Sequence, residues 1–261
     1  MKSLKYLAKK YKADKILDHN YIDIYDHFLC KFRLKKIKLL EIGIGGYHHK
    51  NQGGNSLRMW ADYFIKGKIF GIDLYDKKFL DSKKIKTFIG SQTNNFFLKK
   101  ISKKIGKVDF IVDDGSHVNK DVIKTFVNLF PNLKNGGYYF IEDTQTSYML
   151  RYGGDGFYLK NENNSINFFK KIIDSINYQE IENPFYKKRY LDLNVTEIHF
   201  YHNLIVIKKE LNLEKSNMLV NNRRPVNKKK YKLKIVQIYL KYFLFYLRSK
   251  IYICIDRLKF F

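Results

Sequence analysis

Five short apolar segments alternate with segments of helical spacing in the first half of the chain, and this alternation constrains the fold more than any other feature. Each apolar segment has the length and composition of a buried strand, and the stretches between them repeat apolar residues at helical intervals. Such an alternation is typical of a parallel sheet with helices on both faces. The predicted strands cover residues 37–42, 68–73, 85–89, 108–112 and 138–141.

Predicted helices and a later hairpin complete this fold. Helices are expected at 56–64, 96–105 and 122–133, and the last should end at Asn135-Gly136-Gly137 because glycine often ends a helix. Residues 196–201 and 204–208 flank His202-Asn203, which predicts an antiparallel hairpin. The predicted fold class is therefore α/β. It is a doubly wound, Rossmann-like, mostly parallel sheet with a C-terminal antiparallel hairpin, a helical N-terminal cap and a basic C-terminal helix.

Charge and composition divide the chain further. The 261 residues carry a net charge of +25, and the 12 basic residues and one acid after residue 220 supply +11 of it. We therefore predict a helical cap at 1–36, an α/β domain at 37–210, a polar basic linker at 211–230 and a basic aromatic tail at 231–261. Two cysteines cannot form a disulfide framework, and the first residues lack an apolar secretory segment, so a cytoplasmic protein is expected.

A glycine turn and a carboxylate at the ends of the first two predicted strands indicate a nucleoside-binding site. The turn at 43–46 lets the backbone approach a ligand closely, and Asp73 stands where a carboxylate can accept both ribose hydroxyls. A dinucleotide pattern is excluded because His48 occupies its last glycine position, and no P-loop sequence is present. Glu41 favours a positively charged ligand over a pyrophosphate. The predicted cofactor is therefore S-adenosylmethionine.

Paired acids end the fourth and fifth predicted strands, as Asp113-Asp114 and Glu142-Asp143. Neighbouring parallel strands lie about 4.8 Å apart, so these carboxylates can converge on one hard cation, which would relieve their repulsion. Oxygen ligands favour Mg²⁺ over Zn²⁺. His117 follows closely, and histidine ionises near neutral pH, so it is the predicted general base for a hydroxyl held at the metal.

Several longer motifs carry a resemblance to a known family. They are EIGIGGY at 41–47, GGNSLRMW at 53–60, GID at 71–73, GSQ at 90–92, DDGSH at 113–117, IEDTQTSY at 141–148 and IHFYHN at 198–203. Together they resemble the macrocin/mycinamicin-type sugar O-methyltransferases, which are class I enzymes that use S-adenosylmethionine and Mg²⁺ to methylate a deoxysugar hydroxyl. The resemblance covers about residues 37–208, and YKADK at 11–15 is similar to the family's N-terminal motif.

The resemblance implies a role for each matched residue. Asp114, Glu142 and Asp143 would bind the metal, and His117 would be the general base. The cofactor pocket is expected to comprise Glu41, Gly43, Gly45, Tyr47, Ser56, Asp73, Ser91, Gln92 and Asp113. Contacts to the acceptor are expected from Gln145, Tyr148, His199 and His202. The implied reaction is in-line attack of a sugar hydroxyl on the sulfonium methyl group, with a surface glycan or a natural product as the acceptor.

Two interpretations of the tail stay open. Lys234, Lys241 and Arg248 recur every seven residues, which would give an apolar helix one basic stripe. Such a helix fits an anionic membrane surface, bound through 228–261 at the inner face. It fits equally a helix packed on the α/β domain or on a second subunit of a homo-oligomer.

Two other functions also stay open. A catechol-type O-methyltransferase would use the same fold and similar acids. An RNA-binding methyltransferase would suit the positive charge, but a nucleic-acid partner is disfavoured because the stripe is thin and the tail is rich in aromatic residues.

Overall fold

The computed structural model describes residues 1–17, 19–49, 51–181, 183, 185–216 and 235–258. This part of the chain contains a seven-stranded sheet. Its strands are β1 (Lys38–Ile42), β2 (Lys68–Asp73), β3 (Ile85–Ile89), β4 (Val108–Asp113), β5 (Leu133–Ile141), β6 (Val195–Tyr201) and β7 (Leu204–Lys209). They lie in the order β3-β2-β1-β4-β5-β7-β6, with the first five parallel and β7 antiparallel to both β5 and β6.

The described residues also form nine α-helices. They are α1 (Leu4–Tyr11), α2 (Asp14–Leu17), α3 (Ile22–Leu29), α4 (Asn55–Tyr63), α5 (Asn95–Ile105), α6 (Asn119–Leu129), α7 (Ser165–Lys170), α8 (Ile172–Ile176) and α9 (Ile235–Leu258). The N-terminal helical segment predicted at 1–36 is thus three helices. Ser3 caps the first of them, since its hydroxyl accepts a hydrogen bond from the Tyr6 amide at 3.1 Å.

Alternating side chains of the strands build two hydrophobic cores. Leu39 and Phe110 face one side, where α1, α3 and α4 pack, and Leu40 and Ile111 face the other, where α5 and α6 pack. All four are fully buried, and each such side chain contributes roughly 1.5–3 kcal/mol to folding. A strand buried on both faces reads as a continuous apolar run, which is why these strands were predictable.

The predicted end of α6 and the predicted start of β5 are both wrong. Helix α6 ends at Leu129, and a 3₁₀ turn over Phe130–Asn132 leads directly into β5, so the helix predicted at 122–133 is too long. Pro131 has no amide hydrogen to continue the helix. Gly136, with φ of 79°, lies inside β5 where the pairing with β4 shifts register, and therefore does not end a helix.

The hairpin and the fold class are confirmed. β6 and β7 are antiparallel and joined at His202-Asn203, where Asn203 takes a left-handed φ of 62° that asparagine tolerates well. Pairing of Ile141 with Ile205 attaches the hairpin to β5 at its carboxyl end. This placement brings the hairpin turn to the same edge of the sheet as the acids that follow β4 and β5.

The chain divides into two compact units, one made of 1–176 and 190–212 and the other of the described residues of 177–189 and 213–258. The main element of the second unit is α9, where Leu240, Phe243 and Phe245 are 61%, 58% and 70% exposed. None of the described helices is both long and apolar enough to cross a membrane. Residues 217–234, which hold most of the predicted linker and Lys234, lie outside the described residues. The boundaries proposed at 36, 210 and 230 stay predictions.

Candidate active site

The carboxyl ends of the parallel strands meet at one edge of the sheet and form a cleft of about 570 Å³ there. This volume lies within the range of small-molecule sites. The glycine turn after β1 lines one side, and Asp114, His117 and Asp143, which follow β4 and β5, line another. Lys12 and Asp14 of the N-terminal segment also reach the cleft.

Two glycines shape the turn after β1 in different ways. Gly43 has φ of 84°, and a Cβ atom on it would lie 1.9 Å from the Asp114 carbonyl oxygen, so only glycine lets β1 and β4 approach at this point. Gly45 has φ of 72°, and a Cβ atom on it would meet no atom of the described residues within 4 Å. Gly45 lines the cleft, so a ligand there can approach its backbone closely.

Asp73 and Lys77 hold this turn in place. The Asp73 carboxylate accepts hydrogen bonds from the amides of Ile44 and Tyr75, each at 2.9 Å. Lys77 is buried, and its ammonium donates to the Tyr47 and Gln52 carbonyl oxygens at 2.8 and 3.0 Å. The lysine was not predicted, because its partners are backbone atoms that leave no pattern in the sequence.

The residues predicted for the cofactor pocket separate into two groups. Those that line the cleft are Gly43, Gly45, Tyr47, Ser56, Asp73 and Gln92. Glu41 and Asp113 are buried beneath it, and Ser91 hydrogen-bonds to the Thr93 hydroxyl at 2.8 Å. Gln92 accepts a hydrogen bond from the Ser116 amide at 2.8 Å, which ties the loop after β3 to the loop after β4.

Burial perturbs both of the covered acids. Burial raises the pKa of Glu41 to about 7, against the opposing attraction of Lys15. It also raises the pKa of Asp113 to about 7, although the Tyr139 hydroxyl donates a hydrogen bond to this carboxylate at 3.2 Å. These groups support the site from below rather than contact a ligand in the cleft.

Two carboxylates and an imidazole form a candidate cation site in the open part of the cleft. His117 Nε2 lies 3.8 Å from Asp114 Oδ1 and 3.6 Å from Asp143 Oδ2. Each residue can offer one ligand atom, and these three atoms lie within 4.8 Å of one another. Two carboxylates with room for water suit a hard divalent ion such as Mg²⁺. His117 and Asp143 have left-handed φ values of 56° and 54°, a strain that is common at functional sites.

Glu142, the third predicted metal ligand, is buried and lies on the side of Asp114 that is paired with Lys15, away from His117. Its Oε1 lies 2.7 Å from the Lys15 ammonium and accepts a hydrogen bond from the Tyr25 hydroxyl. Burial and the nearby charge of Asp114 raise the pKa of Glu142 well above its usual value, and Lys15 opposes this shift. A role for Glu142 at the metal stays a prediction.

Lys15 is the most consequential residue that the sequence reasoning missed. The side chain is fully buried, and Nζ lies 2.7 Å from Glu142, 2.8 Å from Asp114 and 3.3 Å from Glu41. Burial alone would lower the pKa of Lys15, but the three carboxylates outweigh it and raise the pKa well above its usual value. The available signal was the YKADK motif, whose last residue is this lysine.

Two further N-terminal residues contact Asp143. The Tyr21 hydroxyl donates to Asp143 Oδ1 at 2.9 Å and to the Asn203 carbonyl oxygen at 3.2 Å. His19 Nε2 lies 3.5 Å from Asp143 Oδ1, and its ring stacks on Tyr21 at 4.9 Å. The N-terminal segment thus closes one side of the site and connects it to the hairpin turn.

The residues predicted to contact an acceptor do not converge. Tyr148 and His202 are exposed, and the buried side-chain oxygen of Gln145 has no hydrogen-bond partner within the described part of the chain. His199 lies on β6 outside the cleft lining, where its Nε2 is 3.2 Å from Glu197 and its ring packs against Phe28. The structure therefore does not bring His199 to the candidate site, and its role as an acceptor contact stays a prediction.

Comparisons with known proteins place this geometry in context. No family model matches the chain. The chain is 38% identical over 197 residues to mycinamicin VI 2''-O-methyltransferase of Micromonospora griseorubida, an overlap of 75% of this chain and 49% of that protein. It is 39% identical over 197 residues to demethylmacrocin O-methyltransferase of Streptomyces fradiae, again 75% of this chain and 50% of that protein.

A solved structure agrees with these matches. The MycE methyltransferase of the mycinamycin biosynthetic pathway, solved in complex with Mg and SAH, superimposes with a TM-score of 0.81 at 34% sequence identity. The superposition covers 91% of this chain and 60% of that chain. The present chain spans about half the length of the curated relatives it matches, at 49% and 50% of the first two.

Proposed function

Since this chain carries the class I methyltransferase domain of the mycinamicin- and macrocin-type sugar O-methyltransferases, we propose that it transfers a methyl group from S-adenosylmethionine to a sugar hydroxyl. One observation carries the proposal beyond the homology. A glycine turn with Asp73 and a candidate cation site at Asp114, His117 and Asp143 line the same cleft. A nucleoside cofactor and a metal-held hydroxyl would therefore meet in one place.

The cofactor would be held by the turn after β1 and by the end of β2. Gly45 presents open backbone to the cleft, and Asp73 keeps acceptor capacity beyond its two amide hydrogen bonds because each carboxylate oxygen has two lone pairs. When bound, S-adenosylmethionine supplies an electrophilic methyl group on a sulfonium. Glu41 is buried and lies 3.3 Å from the Lys15 ammonium, so it supports the turn from below.

Asp114 and Asp143 would hold the metal, and His117 would move the proton. Bound Mg²⁺ supplies positive charge that lowers the pKa of an alcohol. His117 Nε2 lies within 4 Å of both carboxylates, so they stabilise the imidazolium once the nitrogen has taken the hydroxyl proton. Positioning supplies a further part of the rate, because Tyr21 fixes one oxygen of Asp143 by a hydrogen bond.

The two roles available to His117 can be separated by experiment. In His117→Ala, a loss of methyl transfer with an unchanged Mn²⁺ affinity is expected for a general base. A large loss of Mn²⁺ affinity would instead make His117 a metal ligand, and unchanged turnover would remove it from the mechanism.

The acceptor class is tested with labelled S-adenosylmethionine and Mg²⁺. Deoxysugar glycosides, glycan extracts, catechols and structured RNA should be compared as acceptors, and incorporation into the sugar of a glycoside or glycan is expected. The 2''-O-methyltransferase named for mycinamicin VI supports a glycoside acceptor. Transfer to catechols or to RNA, with none to the sugars, would overturn the proposal.

We propose further that α9 binds an anionic lipid surface at the inner face of the membrane. Its described side chains are largely exposed and combine Phe243, Phe245 and Tyr246 with Lys241 and Arg248, a mixture suited to the interface between headgroups and acyl chains. The charge of +11 after residue 220 favours an anionic partner over a second copy of the chain, whose tail would repel it.

Vesicle co-sedimentation of the whole chain tests the membrane proposal. The wild type should sediment with vesicles that contain phosphatidylserine and less with neutral vesicles, and Lys241→Glu/Arg248→Glu should reduce this binding. Equal sedimentation of both proteins would contradict the proposal. A homo-oligomer in solution that persists in the double variant would identify a second copy as the partner of α9.

A further inference from the structure

The Lys15 ammonium lies among the carboxyl groups of Glu41, Asp114 and Glu142, which would otherwise need another cation to lie so close together. The ammonium is fully buried and contacts these three groups within 3.3 Å. A buried carboxylate without a counter-charge loses several kcal/mol of solvation. One ammonium lies in contact with three carboxyl groups, so it is the positive charge that allows these acids to lie together.

Asp114 is shared between this buried group and the open cation site. Its Oδ2 pairs with Lys15 at 2.8 Å, and its Oδ1 faces His117. The cluster thus has a buried half, made of Lys15, Glu41 and Glu142, and an open half, made of His117 and Asp143. The lysine fixes the orientation of the one carboxylate that belongs to both halves.

The contact also connects distant parts of the chain. Lys15 lies on α2, 99 residues before Asp114, and it brings the N-terminal segment across the strand ends. Tyr25 of α3 donates a hydrogen bond to Glu142 in the same buried half. Loss of the ammonium would leave Glu142 facing two other carboxyl groups, with the Tyr25 hydroxyl as its remaining partner among the described residues.

We propose that Lys15 is a positioning residue that acts as a resident cation in the buried half of the cluster. It orients Asp114 toward the open half and restricts the cluster to one divalent ion there. The inference rests on the proposed function only in assigning that ion to Asp114 and Asp143. Without the ammonium, the oxygens of Glu41, Asp114 and Glu142 form a second set of hard ligands that attracts another divalent ion.

The test uses Lys15→Met in the whole chain, because methionine keeps most of the side-chain volume and removes the charge. Mn²⁺ stoichiometry is measured by electron paramagnetic resonance, and Tm is measured in EDTA and in millimolar Mn²⁺. The wild type should bind one ion. The variant should bind two, and its Tm should recover by about 4 °C or more when Mn²⁺ replaces EDTA, beyond any rise of the wild type.

Lys77→Met is the matched control. This lysine is equally buried, but its ammonium contacts the carbonyl oxygens of Tyr47 and Gln52, and no carboxylate among the residues that the structure describes. Its loss should lower Tm by the same amount in EDTA and in Mn²⁺. If Lys15→Met behaves in the same way and still binds one ion, the lysine has only a structural role and the proposal is overturned.

A double variant keeps the test decisive if Lys15→Met folds poorly or if the wild type binds no Mn²⁺. Lys15→Met/Glu142→Gln removes one of the uncompensated charges, so it should regain part of the Tm that the single variant loses. Additive losses from the two substitutions would contradict the proposal. If the wild type binds no Mn²⁺, the proposed metal site is contradicted. The Tm of the double variant still tests the role of Lys15, because it does not depend on metal binding.

Discussion

Gly43 and Gly45 offer a matched pair of substitutions that tests how the turn after β1 is built. Both glycines have left-handed backbones, with φ of 84° and 72°, so alanine at either position costs about 1–2 kcal/mol in strain. At Gly43 the new Cβ atom collides with the protein, at 1.9 Å from the Asp114 carbonyl oxygen, whereas at Gly45 it meets no described residue within 4 Å. The two variants therefore share the strain and differ in the collision.

The collision has a cost that follows from the contacts around it. A Cβ atom at Gly43 would force β1 and β4 apart at the point where the Asp114 amide donates to the Ile42 carbonyl oxygen at 2.9 Å. Overpacking costs about 1–3 kcal/mol, and a weakened hydrogen bond costs about 1 kcal/mol. With the strain included, Gly43→Ala should lose about 3–6 kcal/mol and Gly45→Ala about 1–2 kcal/mol.

Thermal unfolding and cofactor binding together measure the difference. For a domain of this size, Gly43→Ala should lower Tm by about 10 °C or more and Gly45→Ala by about 4 °C. Gly45→Ala should weaken S-adenosylhomocysteine binding about tenfold or more in calorimetry, because its methyl group enters the cleft. Equal Tm losses would refute the packing argument, and normal binding by Gly45→Ala would refute the assigned cofactor position.

Three other substitutions test separate parts of the account. Mutation of a residue that only hydrogen-bonds to a metal ligand weakens metal binding by roughly 10- to 100-fold. Asp143→Asn should weaken Mn²⁺ binding by more than this, and an unchanged affinity would exclude Asp143 as a ligand. Tyr21→Phe removes the hydrogen bond to Asp143 and should raise the Mg²⁺ concentration needed for half-maximal transfer, with an unchanged requirement contradicting its positioning role. Burial and the charge of Lys107 lower the pKa of Lys209 to about 8, so the folded protein releases this proton at lower pH than the unfolded chain. In denaturant titrations the stability of the wild type should therefore rise from pH 8 to pH 10 relative to Lys209→Met, and parallel pH curves would contradict the shift.

The fold and one half of the site could be predicted because their determinants are local in the sequence. Each buried strand is a continuous apolar run, and Asp73, Asp114 and Asp143 stand directly after such runs. Parallel strands bring their carboxyl ends to one edge, so adjacency in sequence becomes proximity in space. The glycine turn was visible for the same reason, since it follows β1 without a gap.

The remaining features depend on contacts that local patterns do not encode. Lys15 meets Asp114 from 99 residues away, and a lysine near the N-terminus reads as a solvated charge until the fold buries it. Asn135-Gly136-Gly137 was wrongly predicted to end a helix for the same reason. Its composition suits a helix end and an irregular strand equally well. The strained backbones of His117 and Asp143 also arise from tertiary packing, because neither residue type requires a left-handed φ.

The most direct test of the central claim is a divalent-cation titration of methyl transfer to a deoxysugar glycoside acceptor. After EDTA treatment, the wild type should transfer label from S-adenosylmethionine only at background rate, and Mg²⁺ should restore the full rate. Asp143→Asn should fail to regain that rate at the same Mg²⁺ concentration. Full-rate transfer by the EDTA-treated wild type would contradict the account.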